Sequence, residues 1–320
     1  LIKDDTNKLA EKYGDDRRTD IVHDEVEEIN VEDMIKDEDM VVMISRLGYI
    51  KRVSVDKYKK QSRGGTGSNG TNLLEEDYIN QLFIGSTKEK LLFITNIGKA
   101  YWIKIHEIPE TEKASRGAHV KGLLQVGPDE EITTIVSLKE FSDDQYLFMT
   151  TANGIVKKVR SSEFQNAKTK GIIGIKLNDG DKLVSAILTD GKSEVMLITR
   201  RGKALRITED SVRCMGRAGV GIKGMKLTEG DEIASAVKAE QDANIILMTE
   251  KGVGKRISFD FFSVHGRGTG GQRIFGNTDG KGEIIGAMSV KENDEVVCMT
   301  SQGKTLRFKA SEIKEQGQGA

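Results

Sequence analysis

The chain has 320 residues, 37% of them apolar, and its 49 Lys and Arg residues nearly balance its 50 Asp and Glu residues. No window approaches the roughly 18 consecutive apolar residues of a membrane-spanning helix, and the charged first residues cannot form a secretory signal. We therefore expect a cytoplasmic protein without a membrane span. The two cysteines, Cys214 and Cys298, have no CxxC spacing and no neighbouring His, which argues against a disulfide framework and a zinc site.

The first residues differ from the rest of the chain in charge. Residues 1–40 hold 6 basic and 15 acidic residues, a net charge of −9, so the remaining 280 residues carry +8. Residues 1–35 are charged, compatible with a helix and without glycine turns. We interpret them as a linker or tail from another part of a longer protein, and we assign 36–320 to one repeat domain.

Six segments share one pattern: a short apolar run, a Ser or Thr, two variable residues, a glycine and a basic strand. They are VVMISRLGYIKRV, LLFITNIGKAYWI, LFMTTANGIVKKV, VMLITRRGKALRI, IILMTEKGVGKRI and VVCMTSQGKTLRF. We number these repeats 1 to 6 by their glycines, which are Gly48, Gly98, Gly154, Gly202, Gly252 and Gly303. The glycines lie 48 to 56 residues apart, a spacing typical of four-stranded propeller blades.

Each repeat predicts a β-hairpin, in which an apolar strand enters the core, the glycine supplies a positive φ and an alternating strand returns. A further alternating strand precedes each hairpin from the second onward, as in GDKLVSAIL, and we assign it to the hairpin that follows. A glycine-rich loop with a basic residue comes after each hairpin, as in MGRAGVGIKG. The predicted fold is all-β, a propeller-like disc of six four-stranded blades.

The sequence offers no site for catalysis, a metal or a cofactor. The histidines, His23, His106, His119 and His265, are scattered without metal-binding or general-base spacing. GTGSNG, from Gly65 to Gly70, matches GxGxxG but follows a polar stretch and leads into no amphipathic helix, so we reject a dinucleotide site. No nucleotide-binding loop, nucleophile elbow or HExxH helix is present. We expect a binding domain without catalytic residues.

Basic residues recur at equivalent positions, which rotation about a propeller axis would place on one rim. Four residues after the glycine stand Arg52, Lys158, Arg206, Arg256 and Arg307, and repeat 2 has Trp102 at this position. Three residues after the glycine stand Lys51, Lys157 and Lys255, and one residue after it stand Lys99, Lys203 and Lys304. The loops add Arg63, Arg116, Lys121, Lys170, Arg217 and Arg267. Cations on edge strands also serve solubility, but that role explains their periodic clustering poorly. We predict that the rim binds and bends duplex DNA through its phosphates, without base specificity and with strong salt dependence.

The six repeats, together with QSRGGTG (Gln61 to Gly67) and YGDDRRTDI (Tyr13 to Ile21), resemble the C-terminal domain of the gyrase A family, which belongs to DNA gyrase, a bacterial type II topoisomerase. The resemblance covers nearly the whole chain. It implies that 36–320 form a six-bladed β-pinwheel with strands exchanged between blades, and that 1–35 lead from a DNA-cleavage domain. It also implies that the domain wraps DNA so that an ATP-dependent holoenzyme introduces negative supercoils.

The resemblance further identifies the loop of repeat 1 as a gyrase A box that completes the wrap. Its residues are Gln61, Ser62, Arg63, Gly64, Gly65, Thr66 and Gly67. The family usually has basic residues where Ser62 and Thr66 stand, and we expect Lys59 and Lys60 to compensate. The implied partners are double-stranded DNA, the remainder of the gyrase A polypeptide and the gyrase B polypeptide in an A2B2 holoenzyme. ATP and Mg would be used elsewhere in that assembly, and the isolated fragment is expected to be monomeric.

Three other classes compete with this interpretation. The homologous subunit of topoisomerase IV shares the blades but usually has fewer of them and no clear box. A protein-binding propeller is a second alternative, which the absence of WD and kelch signatures weakens. An enzyme that used a propeller channel would need converging His, Asp or Glu, whereas the repeats offer Thr and Lys. The sequence leaves open whether the blades form a closed ring or a spiral, and how far DNA would wrap.

Overall fold

The computed structural model describes residues 1–16, 19, 34–55, 77, 79–112, 115–276, 280–299 and 305–318. The chain divides into two compact units, Leu1–Lys36 and Asp37–Ala320. In the first unit, α1 (Ile2–Tyr13) has acidic residues in its first turn, a lysine in its last turn and no buried residue. These charges complement the helix dipole, so α1 is stabilised locally and not by a core. Within the described ranges, no helix is long and apolar enough to cross a membrane.

In the part of the second unit that the structure describes, the elements are short strands, one short helix, α2 (Val120–Leu123), and 3-10 turns. The strands are β1 (Asp39–Ser45), β2 (Tyr49–Ser54), β3 (Ile79–Ser86), β4 (Lys90–Thr95), β5 (Lys99–Lys104), β6 (Ala118–His119), β7 (Ile132–Leu138), β8 (Tyr146–Thr151), β9 (Ile155–Arg160), β10 (Ile172–Ile173), β11 (Leu183–Thr189), β12 (Glu194–Thr199), β13 (Lys203–Thr208), β14 (Ile222–Lys223), β15 (Ile233–Ala239), β16 (Asn244–Thr249), β17 (Gly254–Ser258), β18 (Gln272–Arg273), β19 (Ile284–Val290), β20 (Glu295–Met299) and β21 (Thr305–Lys309). The 3-10 turns follow the hairpins at Ile105–Glu107, Ser161–Phe164, Glu209–Ser211, Phe259–Phe261 and Ala310–Glu312.

The hairpins form where the repeat pattern predicts them, and the pattern has a local cause. In repeat 2, Gly98 has a φ of 77°, and its N–H donates to the carbonyl of Thr95 at 2.9 Å. The Thr95 hydroxyl accepts the N–H of Lys99 at 3.3 Å. The same hydroxyl contact closes the turns of the other described hairpins through Ser45, Thr151, Thr199 and Thr249. The Ser or Thr three residues before the glycine is therefore the residue that holds the turn.

The third strand of each sheet pairs with the hairpin that precedes it, so our assignment of that strand to the following hairpin is wrong. β3 pairs with β1, β7 with β4, β11 with β8, β15 with β12 and β19 with β16. The acidic turn before the strand explains this choice. Asp181 accepts the N–H of Asn153 at 3.1 Å, and Asp231 accepts that of Arg201 at 3.1 Å. Each carboxylate thus fastens its strand to the turn of the preceding hairpin.

The fourth strand of a sheet is contributed by the next repeat. β6 follows β5 along the chain but pairs with β2, and β10, β14 and β18 pair in the same way with β5, β9 and β13. Each contributed strand has only two residues. The structure therefore has the exchange of strands between neighbouring blades that the family resemblance implied.

The sheets form an all-β propeller arrangement. Four have four strands, β16, β17 and β19 form a three-stranded sheet, and β20 and β21 form a two-stranded one. Five sheets within the described ranges thus have three or more strands. The predicted count of six four-stranded blades differs from this and stays a prediction.

The core lies between consecutive sheets. Along β4, Leu91 and Phe93 pack against the sheet of β1, whereas Leu92 and Ile94 pack against the sheet of β8. All four side chains are fully buried. A strand covered on both faces needs apolar residues at successive positions, which accounts for the unbroken apolar run at the start of each repeat. Each sheet therefore depends on its neighbours for its core.

Candidate nucleic-acid interface

The glycine-rich loops that the structure describes, those of repeats 2 to 6, lie against the second hairpin strand of the preceding repeat. After its 3-10 turn, the chain forms a parallel bridge to that strand, as between Arg52 and Glu110 and between Lys158 and Cys214. It then returns as the two-residue exchanged strand. A Cβ on Gly221, just before β14, would lie 2.7 Å from the carbonyl oxygen of Val156, and its φ is 107°. Only glycine permits this close approach of loop and strand.

Hydrogen bonds join successive loops into a row. The N–H of Gln125, after the loop of repeat 2, donates to the carbonyl of Thr169 in repeat 3 at 2.9 Å. Lys176 donates in the same way to Gly219 of repeat 4 at 3.1 Å, and Lys226 to Thr269 of repeat 5 at 2.9 Å. The loops of repeats 2 to 5 are therefore adjacent in chain order, and we call this arrangement the loop row.

The loop row carries exposed cations, which we call the loop cations. They are Arg116, Lys121, Lys168, Lys170, Lys176, Arg213, Lys223, Lys226, Arg267 and Arg273. Four of them, Arg116, Lys121, Lys170 and Arg267, were predicted from the sequence. The others were missed, although the matching phrases GIKL and GMKL place Lys176 and Lys226 at one repeat position and offered a way to find them.

The position four residues after the glycine does not form the predicted exposed rim. In repeats 1 to 4 the side chain at this position donates to a carbonyl of the next repeat, at or next to the 3-10 turn. Arg52 Nε donates to Ile108 at 2.7 Å, Lys158 Nζ to Glu209 at 3.2 Å, and Arg206 Nη1 to Phe259 and Phe262 at 2.9 and 3.1 Å. Trp102 does the same, with its indole Nε1 donating to Gln165 at 3.1 Å.

The shared property of this position is therefore a long side chain with an N–H donor, and not positive charge. That property explains why a tryptophan stands among arginines and lysines. Arg256 is half-buried and its backbone bridges Glu315 in the same register. The side chain of Arg307 lies outside the described part of the structure.

The lysines three residues after the glycine are buried, so their predicted place on an exposed rim is also wrong. Lys157 is 0% exposed, and its Nζ donates to the carbonyls of Gly174 at 2.9 Å, Gly219 at 2.8 Å and Arg217. Burial, with a smaller contribution from the Arg217 guanidinium, lowers the pKa of Lys157 to about 8. Lys51 and Lys255 are 2% and 1% exposed, and burial lowers the pKa of each.

The remaining predicted cations are partly engaged or lie outside the described residues. Lys99 Nζ lies 3.7 Å from Glu130, and its interaction with the Tyr101 hydroxyl raises the pKa of Lys99. Lys203 is half-buried. Arg217 Nη1 donates to the carbonyl of Ile173 at 3.2 Å, and its Nε lies 3.7 Å from Glu163. The predicted residues that lie outside the described ones are Lys59, Lys60, Gln61, Ser62, Arg63, Gly64, Gly65, Thr66, Gly67 and Lys304.

A family model described as DNA gyrase C-terminal domain, beta-propeller, matches residues 39–86, 89–139, 145–190, 193–240, 243–291 and 294–320. The chain belongs to the DNA gyrase C-terminal domain family. This confirms the resemblance found in the sequence. The match 39–86 runs from β1 to β3, so this family groups each hairpin with the third strand that follows it, as the sheets do.

Relatives and solved structures agree with membership in the gyrase family. The DNA gyrase A protein of Treponema pallidum is 59% identical over all 320 residues, which cover 100% of this chain and 39% of the relative. The chain thus spans about two fifths of the length of that relative. The structure of a DNA gyrase A C-terminal domain has 33% identity, covers 88% of this chain and 92% of its own, and aligns with a TM-score of 0.74. The C-terminal domain of a DNA topoisomerase IV has 28% sequence identity, and the alignment covers 90% of this chain and 88% of that domain with a TM-score of 0.73.

Within the described residues of this gyrase-family domain, no group of three or more His, Cys, Asp or Glu side chains is placed to hold a metal ion. The loop row presents exposed cationic side chains together with the backbone of glycine-rich loops. Such a surface suits a polyanion.

Proposed function

We propose that this domain binds and bends duplex DNA along the loop row, as the C-terminal domain of the gyrase A polypeptide of a bacterial DNA gyrase. The observation that carries the proposal is the loop row itself. Hydrogen bonds hold four successive loops side by side, and ten exposed cations lie on those loops or next to them.

A continuous row of cations suits DNA because duplex phosphates recur at regular short intervals. Contacts to phosphates carry no base information, so the binding would be largely independent of sequence. With about six to ten such contacts, raising the salt concentration from about 50 to about 200 mM would weaken binding by about 10³- to 10⁵-fold. Bending a site of about 20 to 30 base pairs costs on the order of 1 to 6 kcal/mol, which the additional contacts offset.

The larger assembly is part of the same proposal. The chain spans 39% of its Treponema pallidum relative, which leaves room in the polypeptide for a DNA-cleavage domain that 1–35 would join to the propeller of 36–320. The proposal also includes six blades and an A2B2 holoenzyme with the gyrase B polypeptide. ATP and Mg would be used outside this domain. The loop Gln61–Gly67 would finish the wrap. The holoenzyme would introduce negative supercoils in the bacterial cytoplasm.

The test is energy transfer between dyes at the two ends of a linear duplex, measured over a salt series. We compare the wild type with a Lys176→Glu, Lys226→Glu variant, in which two loop cations are reversed. Lys139→Glu, Arg160→Glu is the matched control, because both residues are exposed and lie outside the loop row. We expect the wild type and the control to bend DNA at low salt and the loop variant to lose bending.

Either of two results would remove the proposal: a wild type that does not bind DNA at low salt, or a control that loses bending as fully as the loop variant. The first result would favour a protein-binding propeller. An Arg63→Ala, Gly64→Ala variant separately tests the box, since loss of bending there with retained binding assigns the final part of the wrap to that loop.

The homologous topoisomerase IV polypeptide is the second candidate, and its solved C-terminal domain aligns with this chain at a TM-score of 0.73. The resemblance of Gln61–Gly67 to the gyrase A box and the 59% identity to a gyrase A protein favour gyrase. The full-length polypeptide with its partner polypeptide and ATP separates the two. Negative supercoiling of relaxed plasmid supports gyrase, and relaxation or decatenation alone supports topoisomerase IV.

A further inference from the structure

Three buried lysines donate hydrogen bonds to backbone carbonyls, and a direct contact with DNA does not explain these bonds. Lys51, Lys157 and Lys255 stand at one repeat position and are at most 2% exposed. Lysine is almost never fully buried unless its three N–H donors are satisfied. The acceptors should therefore identify what each lysine holds in place.

The acceptors of Lys157 are backbone carbonyl oxygens from two glycine loops. Gly174 ends the loop of repeat 3, whereas Arg217 and Gly219 belong to the loop of repeat 4. Lys157 itself lies in β9 of repeat 3. One ammonium thus ties the loop of its own repeat to that of the next, and it holds the peptide carbonyl of Arg217, a predicted DNA contact.

The same carbonyls are used at the equivalent lysines. Lys51 donates to Ser115 at 2.7 Å, five residues after the bridge at Glu110, as Gly219 is five residues after the bridge at Cys214. The loop of repeat 6 gives the other match. Lys255 donates to Gln318 at 3.1 Å, three residues after the bridge at Glu315, as Arg217 is three residues after Cys214.

Such a contact restrains a loop that its own sequence leaves free. The loop of repeat 4 contains Gly216, Gly219 and Gly221, and a Cβ on Gly216 would meet nothing within 4 Å. Glycine loses more conformational freedom on ordering than any other residue. A loop that is ordered before DNA arrives does not lose that entropy on binding.

We infer that Lys157 and Lys51 are positioning residues of the loop row: each fixes the backbone of the next loop from inside the protein, and with it the arginine of that loop that is to contact a phosphate. The Arg217 guanidinium, which lies near Glu163 and donates to the Ile173 carbonyl in the free domain, would exchange these contacts for the phosphate. Lys157 positions Arg217, and Lys51 positions Arg116, which follows its acceptor Ser115 directly. Neither lysine contacts DNA. The inference rests on the proposed function.

The experiment is a crossed double-mutant comparison of DNA affinity in the same domain. The single variants are Lys157→Met, Lys51→Met, Arg217→Ala and Arg116→Ala, and each lysine variant is combined with each arginine variant. Circular dichroism and a melting curve select a temperature at which every variant used is folded. Because the two lysines lie in different repeats, either cycle tests the inference if one lysine variant does not fold.

We expect Arg217→Ala to reduce the dependence of log affinity on log salt by about 1, so that it loses about 3.5-fold less affinity than the wild type between about 50 and 200 mM salt. Lys157→Met should lower affinity in the wild-type background but hardly at all in the Arg217→Ala background. Its combination with Arg116→Ala should be additive within about twofold. Lys51→Met should behave in the opposite way, coupling to Arg116 and not to Arg217.

A lysine variant that lowers affinity by the same factor in both arginine backgrounds would show a general structural effect and overturn the inference. Unchanged affinity and unchanged salt dependence in the folded lysine variants would also overturn it. In both cases the wild type still binds DNA, which separates these results from failure of the proposed function, where the wild type does not bind.

Discussion

Replacing Lys158 by Met should destabilise the domain strongly, because it leaves a buried carboxylate without its cation. Lys158 Nζ lies 4.0 Å from the carboxylate of Glu209 and 3.2 Å from its backbone carbonyl, and the two side chains are 8% and 0% exposed. The carboxylate also accepts the Thr189 hydroxyl at 2.6 Å and the Ser193 N–H at 3.2 Å, so it is held in place.

The size of the effect follows from this geometry. Two unit charges 4 Å apart attract by about 4 kcal/mol at an effective dielectric constant of about 20. The lost hydrogen bond from an ammonium adds about 1.5 to 3 kcal/mol, whereas removing the buried ammonium recovers part of its desolvation cost. We therefore expect Lys158→Met to lower the free energy of unfolding by about 3 to 5 kcal/mol.

Urea unfolding at pH 7 measures this loss, provided that the slope with denaturant is unchanged. Arg160→Met is the control, because Arg160 ends the same strand and is exposed, and it should cost less than about 0.5 kcal/mol. Lys158→Met, Glu209→Gln should regain much of the loss, since the neutral amide needs no cation. A Lys158→Met variant within about 1 kcal/mol of the wild type, or a double variant no more stable than the single one, would refute the argument.

Three further predictions concern turns and buried donors. Because the pKa of Lys157 falls from its ordinary value of 10.5 to about 8 in the folded protein, the unfolded chain binds more protons between these pH values. The stability of the wild type relative to Lys157→Met should therefore rise as pH increases from about 8 to 10.5, and a difference that falls or stays flat in urea titrations contradicts this. Gly98 and Gly252 share a φ of 77°, but a Cβ on Gly98 would lie 2.6 Å from a backbone carbonyl oxygen whereas one on Gly252 meets nothing within 4 Å. We expect Gly252→Ala to cost about 1 to 2 kcal/mol and Gly98→Ala clearly more, and equal melting points would be inconsistent with the steric argument. Thr199→Val should cost about 1 to 3 kcal/mol, because the Lys203 N–H loses its 3.1 Å acceptor in a partly buried turn; a melting point equal to that of the wild type would show that the hydroxyl does not hold the turn.

The sequence alone was enough to predict the hairpins and to identify the family. The turn of repeat 2 is closed by Thr95, Gly98 and Lys99, which are at most four residues apart, so its interactions recur wherever the pattern TxxG recurs. The apolar run of β4 predicts a strand buried on both faces for the same local reason. Six repetitions of this unit made an all-β propeller the expected fold, and the family model agrees.

Only the tertiary structure decided which hairpin receives each third strand and where the periodic cations point. A strand such as β7 lies between two hairpins along the chain, and its pairing with β4 is a contact between residues far apart in sequence. Likewise, Lys157 and Lys158 look like surface cations in an alternating strand, yet their acceptors are carbonyl oxygens, most of them supplied by the next repeat. A sequence pattern records which residue is a donor, but the identity of its acceptor depends on how neighbouring repeats pack. For this reason the surface that we propose for DNA is formed by exposed loop cations such as Lys176 and Lys226, and not by the most regular lysines and arginines.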